Sequence, residues 1–221
     1  MLWIFELAVA FDFGYELASY LIRDAFDPII RFFCGVPMGC LFFSWFHFIL
    51  SLFYPLSKLH GIVSIFIFFA ISYFFKHLNR KKKLSFEIRF VKIQIIAILA
   101  FICLLSYFLF FGLMFNNTFC IGAAYGDLPF HLNIISSFAI GCNYRRNSLY
   151  EVHSSFISGT QLTYPYMVNF LSACLISTGS ASLRSSVCFP SLFFGVSLIL
   201  GIYHLSYEFT QKVMPSILSL V

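Results

Sequence analysis

From Ile93 to Phe115 the chain runs for 23 residues without one charged side chain. As a helix at 1.5 Å per residue this stretch reaches roughly 34 Å, enough to cross a hydrocarbon core of about 30 Å with some tilt. The rest of the sequence agrees with that constraint. It is 60% hydrophobic and 10% charged, where an average soluble domain carries about 25% charged residues. Such a chain has too few polar groups to clothe a water-facing surface. The 32 Phe and 12 Tyr are residues that serve helix packing and membrane interfaces.

Counting Ile93–Phe115, about six apolar segments can be read, which predicts an all-α, polytopic transmembrane helical bundle. Residues 2–22 come first and contain Glu6, Asp12 and Glu16. A charge at the centre of a span costs roughly 2.5–3.5 kcal/mol on insertion scales, so this segment is expected to pack against other helices or to lie at the interface. Phe32 to Leu56 follows, with His47 as a helix–helix hydrogen-bonding residue. Gly61 to Phe75 then runs back. Leu162 to Thr178 is expected to re-enter the bilayer, Gly179 to Ser186 to turn on the cytoplasmic side, and Val187 to Tyr207 to cross outward. The apolar stretch from Val213 reads as the start of another helix, with the expectation that the chain continues past Val221.

Seven of the 14 basic residues fall between Lys76 and Lys92. In a membrane protein that is a topology signal, placing the run in the cytoplasm. It is not a nucleic-acid footprint, which would need base-facing or stacking side chains around it. The run divides the chain into 1–92, membrane segments ending in the basic loop, and 93–221, a membrane core. Residues 116–161 then form an extracytoplasmic loop, and the sequon at Asn116 lies on that side. No cysteine pair has zinc-ligand spacing. Cys120 and Cys142 share the outer loop and are a candidate disulfide, subject to their Cα atoms coming within about 7 Å.

Within that loop is Gly126-Asp127-Leu128-Pro129-Phe130-His131, holding the only acid between Glu87 and Glu151. Asp127 stands two residues before Pro129, which suits the start of a short amphipathic helix with Asp127 as N-cap. His131 would follow one turn later on the apolar face. A carboxylate at a membrane boundary has two other uses. It can take a proton from an attacking group as general base, or ligate a divalent cation that neutralises a phosphate leaving group.

The succession of Ile93–Phe115, GDLPFH, a short helix, a polar loop and TYPYMVNFLSA opening the next apolar segment resembles the GT-C superfamily of polytopic membrane glycosyltransferases. The resemblance covers about residues 93–207. It implies a lipid-phosphate-sugar-dependent glycosyltransferase with a polyprenyl- or dolichyl-phosphate sugar donor. It further implies Asp127 as base or metal ligand, His131 beside it, and Tyr164, Tyr166 and Glu151 at the cavity rim. The implied cofactor is a divalent cation, Mg or Mn. Localisation is expected to be integral and multi-pass, in the endoplasmic reticulum or the plasma membrane, with the lipid bilayer as partner. The rival reading is a non-catalytic or truncated multi-pass membrane protein, scaffold or transporter-like, to which His47 and the acids of residues 2–22 lend support.

Overall fold

The computed structural model describes residues 1–22, 28–80, 92–114 and 126–220. They form eight α-helices: α1 (Leu2–Leu21), α2 (Pro28–Leu50), α3 (Lys58–Asn79), α4 (Lys92–Tyr107), α5 (Leu128–Ala139), α6 (Met167–Ser177), α7 (Leu183–Thr210) and α8 (Val213–Leu218). A wider π-helical stretch, Phe108–Leu113, extends α4. Four of these helical stretches are long and apolar enough to cross a membrane: Pro28–Leu50, Lys58–Asn79, Ile93–Leu113 and Leu183–Thr210. Of the about six apolar segments read from the sequence, four are candidate spans among the described residues, while residues 2–22 and Leu162–Thr178 hold helices outside that set.

Residues 2–22, expected to pack against other helices or to lie at the interface, do the first. They form a 20-residue helix whose acids keep it out of the set of clean spans, and it lies lengthwise between α2 and α3. Its closest approach to α2 is made by glycine. A Cβ on Gly14 would fall 2.0 Å from the Gly35 carbonyl oxygen, and one on Gly39 would fall 2.0 Å from the Ala10 oxygen. Gly35 and Gly39 have the small-xxx-small spacing that lets two membrane helices touch backbone to backbone. On its other side α1 runs parallel to α3: Ser72 donates to Asp12, and the Asn79 amide donates to the Glu16 carboxylate at 2.8 Å. Asp12 and Glu16 thus find polar partners on α3.

A discrepancy is Leu162–Thr178. Only Met167–Ser177 is helical, and 11 residues reach about 16 Å, half a bilayer core. Trp3 N–H donates to the Gly179 carbonyl at 3.1 Å, so the end of α6 meets the start of α1. The Arg184 guanidinium donates to the Met114 oxygen at 2.8 Å and to the Phe110 oxygen at 2.6 Å. It thereby caps the C-terminal end of the α4 span, where a cation is electrostatically favoured. At the other end Gln94 of α4 bonds Tyr203 of α7. α7 is therefore antiparallel to α4, and residues 179–186 sit at the end where the α4 span finishes, not at the end where it begins. The expected cytoplasmic turn at 179–186 and the outward crossing of α7 are both reversed relative to α4.

This geometry gives the bundle two unlike ends. One carries Arg31, Lys76, Arg80 and Lys212, at the termini of α2, α3 and α7; it is called the basic end below. The other gathers α5, α6, the first turn of α7 and the loop 140–166. That loop is folded back by paired backbone bonds, Leu162 to Val152 at 2.8 Å and Ser154 to Thr160 at 2.9 Å. The core between them is aromatic. Phe13, Phe43, Phe48, Phe68, Phe138 and Phe170 are all buried, several in edge-to-face pairs such as Phe48–Phe170 at 5.1 Å.

Candidate functional site

At the end opposite the basic one, α5, α6 and α7 and the end of the α4 span enclose a cleft of about 470 Å³. Four parts of the sequence build it. Leu113 closes the α4 span. Asp127, Leu128, His131 and Ile135 come from α5 and its start, Tyr164, Pro165, Asn169 and Ser172 from α6 and its approach, and Val187, Pro190 and Ser191 from α7. The walls are mostly apolar, and the polar groups are few and convergent, the usual pattern of a small-molecule site.

Pro190 helps shape one wall. Lacking an N–H, it cannot bond the carbonyl of Ser186 four residues earlier. The Ser172 hydroxyl of α6 donates to that carbonyl at 2.8 Å. The proline thus opens a bonding place in α7, and the bond made there holds α6 against it.

Asp127 occupies the N-cap position of α5, yet its side chain makes no capping hydrogen bond. Its backbone is in the right-handed helical region (φ −92°, ψ −39°), not the extended conformation typical of a side-chain cap. Its carboxylate is exposed at the cleft mouth. His131 follows one turn along, half-buried, with Nδ1 at 3.2 Å from the Asn169 Oδ1. A neutral ring that donates Nδ1–H to that amide oxygen leaves Nε2 as an acceptor. Asn169 is itself buried. Tyr164 packs its ring near those of Phe130 and His131, at 5.0 and 5.8 Å.

Of the residues singled out from the sequence, Asp127, His131 and Tyr164 come together here. Tyr166 does not line this cleft: its ring lies against Phe48 and Phe138. Glu151 is elsewhere too. It accepts from the Asn147 N–H at 3.3 Å and lies 3.4 Å from His153. Asn143, which also carries an amide oxygen in this loop, has its side chain committed to the backbone of His153 through bonds of 2.8 and 2.7 Å. Asn169 and Ser172 were missed, although both lie within TYPYMVNFLSA, where polar residues opening an apolar helix were the available signal. Among the described residues no three His, Cys, Asp or Glu gather as a metal-binding group. Cys142 is exposed. Its proposed partner Cys120 and the sequon at Asn116 lie outside the described residues.

Behind this cleft Arg146 is buried in an aromatic box. Its guanidinium carbon stands 3.6 Å above the Phe48 ring, with Phe138 and Phe170 at 5.8 and 5.7 Å. It donates to the Phe48 carbonyl at 3.0 Å and to Ser51 Oγ at 2.6 Å. Burial pushes its pKa down to about 10, against the opposing pull of Tyr166 and Cys174, so it keeps its charge at neutral pH. Burial raises Tyr166, and Arg146 partly offsets that rise. This arrangement pins the 140–166 loop onto the end of α2 and so fixes one side of the α6 approach.

No protein-family model, curated protein or solved structure matches the chain.

Proposed function

We propose that the Asp127 cleft transfers a glycosyl group from a lipid-phosphate donor, with Asp127 as general base. The observation that carries this reading is the convergence of Asp127, His131, Asn169 and Tyr164 in one cleft at the end of an apolar bundle. The carboxylate there is not consumed as a helix cap. In the step proposed, the acceptor's O–H or N–H gives its proton to Asp127 as its heteroatom bonds the sugar's anomeric carbon. The bond from that carbon to the phosphate oxygen breaks, and the lipid phosphate leaves with the electron pair. His131, held by Asn169, presents Nε2 as an acceptor that orients the incoming hydroxyl or amide. A divalent cation, as the family resemblance implies, would be held by Asp127 with the donor's own phosphate oxygens, since Glu151 and Asn143 are engaged elsewhere.

Orientation follows from charge. The positive-inside rule places the basic end in the cytoplasm. The cleft then opens on the extracytoplasmic face, in the endoplasmic reticulum or at the plasma membrane.

The test is Asp127→Asn, assayed for glycosyl transfer from polyprenyl- and dolichyl-phosphate sugars in membranes alongside protein abundance. Asp127 is exposed and its side chain makes no capping bond, so abundance stays normal while transfer is lost. Transfer at the wild-type rate would remove Asp127 from the chemistry.

A transporter-like reading draws on a different observation. His47 and His60, with ring centroids 6.4 Å apart, are buried in the bundle. Both nitrogens of His47 and Nδ1 of His60 have no hydrogen-bond partner among the described residues. Proton flux into proteoliposomes that is abolished by His47→Phe, and not by Asp127→Asn, would favour it.

A further inference from the structure

Glu6 has no exposed surface, and neither of its carboxyl oxygens has a hydrogen-bond partner among the described residues. Two glycines make room for it. A Cβ on Gly61 of α3 would fall 2.2 Å from Oε1, and one on Gly179, just past α6, would fall 2.5 Å from Oε2. Residues 2–7, 60–61 and 174–181, all described, build this junction. Trp3, Leu7, Leu175 and Ala181 form an apolar cluster in it.

The polar atoms close by are acceptors. The Thr178 carbonyl oxygen lies 3.1 Å from the point where the Gly61 Cβ would be. The Thr178 hydroxyl is beside the carboxyl, but its proton goes to the Cys174 carbonyl at 2.7 Å. A carboxylate ion would therefore be buried among oxygens, with no cation and no N–H aimed at it. Desolvation of that kind disfavours the charged form. The neutral acid has an O–H to give, and oxygens around it to receive it.

None of the other titratable groups on the packed elements bonds the Glu6 carboxyl. His60 precedes Gly61 on α3, with its ring 6.4 Å from that of His47 on α2. The Cys174 thiol, on α6, is buried. On α7, Arg184 bonds the Met114 and Phe110 carbonyls. Lys58 and the amino terminus at Met1 are exposed.

Glu6 sits where α1 meets the end of α6. Trp3, one turn earlier, donates its N–H to the Gly179 carbonyl at 3.1 Å. The same α6 brings Asn169 and Ser172 to the Asp127 cleft. We propose that Glu6 carries a proton in the folded bundle and works as a latch: while neutral it lets α1 close on the end of α6, and its ionisation releases that end. The closed junction then binds one more proton than the open one, so closure is favoured as pH falls and lost as pH rises. The latch does not depend on the chemistry assigned to the cleft.

Infrared absorption of the full chain in nanodiscs, made with isotope-labelled glutamate, tests the proton. Hydrogen exchange at the Trp3 amide tests the latch. At neutral pH the wild type should show the carbonyl band of a neutral glutamic acid, and Glu6→Gln should lack it. As pH is raised, Trp3 should exchange progressively faster in the wild type than in Glu6→Gln at the same pH. The ratio should grow by about tenfold per pH unit until Glu6 ionises in the closed state. Glutamine keeps the neutral shape, so that variant should stay closed throughout. If it does not fold, the labelled wild type still decides through the joint loss of the acid band and of Trp3 protection. Glu208→Gln, at an exposed position, should alter neither. Carboxylate bands alone at neutral pH, or the same pH dependence of Trp3 exchange in both proteins, overturns the proposal. So does an acid band that appears only when sodium is withheld, which would make the ligand a metal cation.

Discussion

Gly39→Ala adds one methyl group at the point where α1 and α2 touch. The new carbon would lie 2.0 Å from the Ala10 carbonyl oxygen and 2.8 Å from its carbon. A comfortable carbon–oxygen approach is about 3.3–3.6 Å, so the shortfall is roughly 1.4 Å. The obstacle is the main chain of another helix, which cannot rotate away as a side chain would. The helices must therefore part by about an ångström, and a radial gap of 0.5–1 Å already forfeits a quarter to a half of the dispersion well for each contact along the seam. Insertion of a methylene-sized group into a tight core typically costs about 1–3 kcal/mol. We expect the upper end of that range, about 3 kcal/mol, because both partners are backbone. Gly14→Ala, 2.0 Å from the Gly35 oxygen, should do the same. The two together should cost less than their sum, since the first separation makes room for the second. Gly126→Ala is the control, as nothing lies within 4 Å of its added carbon. Unfolding in mixed micelles under rising SDS, followed by circular dichroism, reads the difference. If Gly39→Ala unfolds within about 0.5 kcal/mol of wild type, the close backbone approach is wrong.

Three other outcomes are expected. Arg146→Lys keeps the charge but loses the planar group lying on Phe48 and its fork of hydrogen bonds, so it should destabilise by about 2 kcal/mol in the same SDS titration; an unchanged midpoint would show that the box is not needed. Sidedness can be read with reporter sequons or labelled single cysteines at Ser148, Gln211 and Lys82. Positions 211 and 82 should report the same face and 148 the other, whereas an outward-crossing α7 would put 211 with 148. In the transfer assay, Asn169→Ala should lower activity less than Asp127→Asn does, because it frees the His131 ring without removing the base; loss as complete as with Asp127→Asn would move the central role to Asn169.

The bundle's class was legible because hydropathy is a local property. Ile93–Phe115 and Phe32–Leu56 read as helices from their own residues, and Ile93–Leu113 and Pro28–Leu50 are among the candidate spans. What was not legible depended on distant partners. Glu6, Asp12 and Glu16 left residues 2–22 open between packing against other helices and lying at the interface, and only Ser72 and Asn79, some 60 residues away, supply the partners of Asp12 and Glu16. Leu162–Thr178 had the composition of a span, but Pro165 and the Tyr-rich approach delay the helix to Met167, leaving it too short to cross. In the cleft, Asp127 and His131 were visible through their local spacing. Asn169 was not, because an amide in an apolar helix announces no partner until α5 is folded against it. Tyr166 was misplaced for a simpler reason: two residues after Tyr164, at the start of a helix, it projects toward Phe48 and away from the cleft.

The seat of Glu6 has a consequence in time. Its carboxylate lies against Gly61 and Gly179, at 2.2 and 2.5 Å from where their Cβ atoms would be. The same glycine's carbonyl accepts the Trp3 N–H. Gly179 leaves the ribosome about 170 residues after Glu6, which at roughly 5–20 residues per second means an interval on the order of 10–30 s. For most of that interval α2, α3 and Gly61 can receive α1, but the Gly179 side of the Glu6 seat does not yet exist. The Glu6 end of α1 is thus completed long after α1 itself is made, and a chaperone or insertase that shelters acidic helices would have its moment of greatest use there.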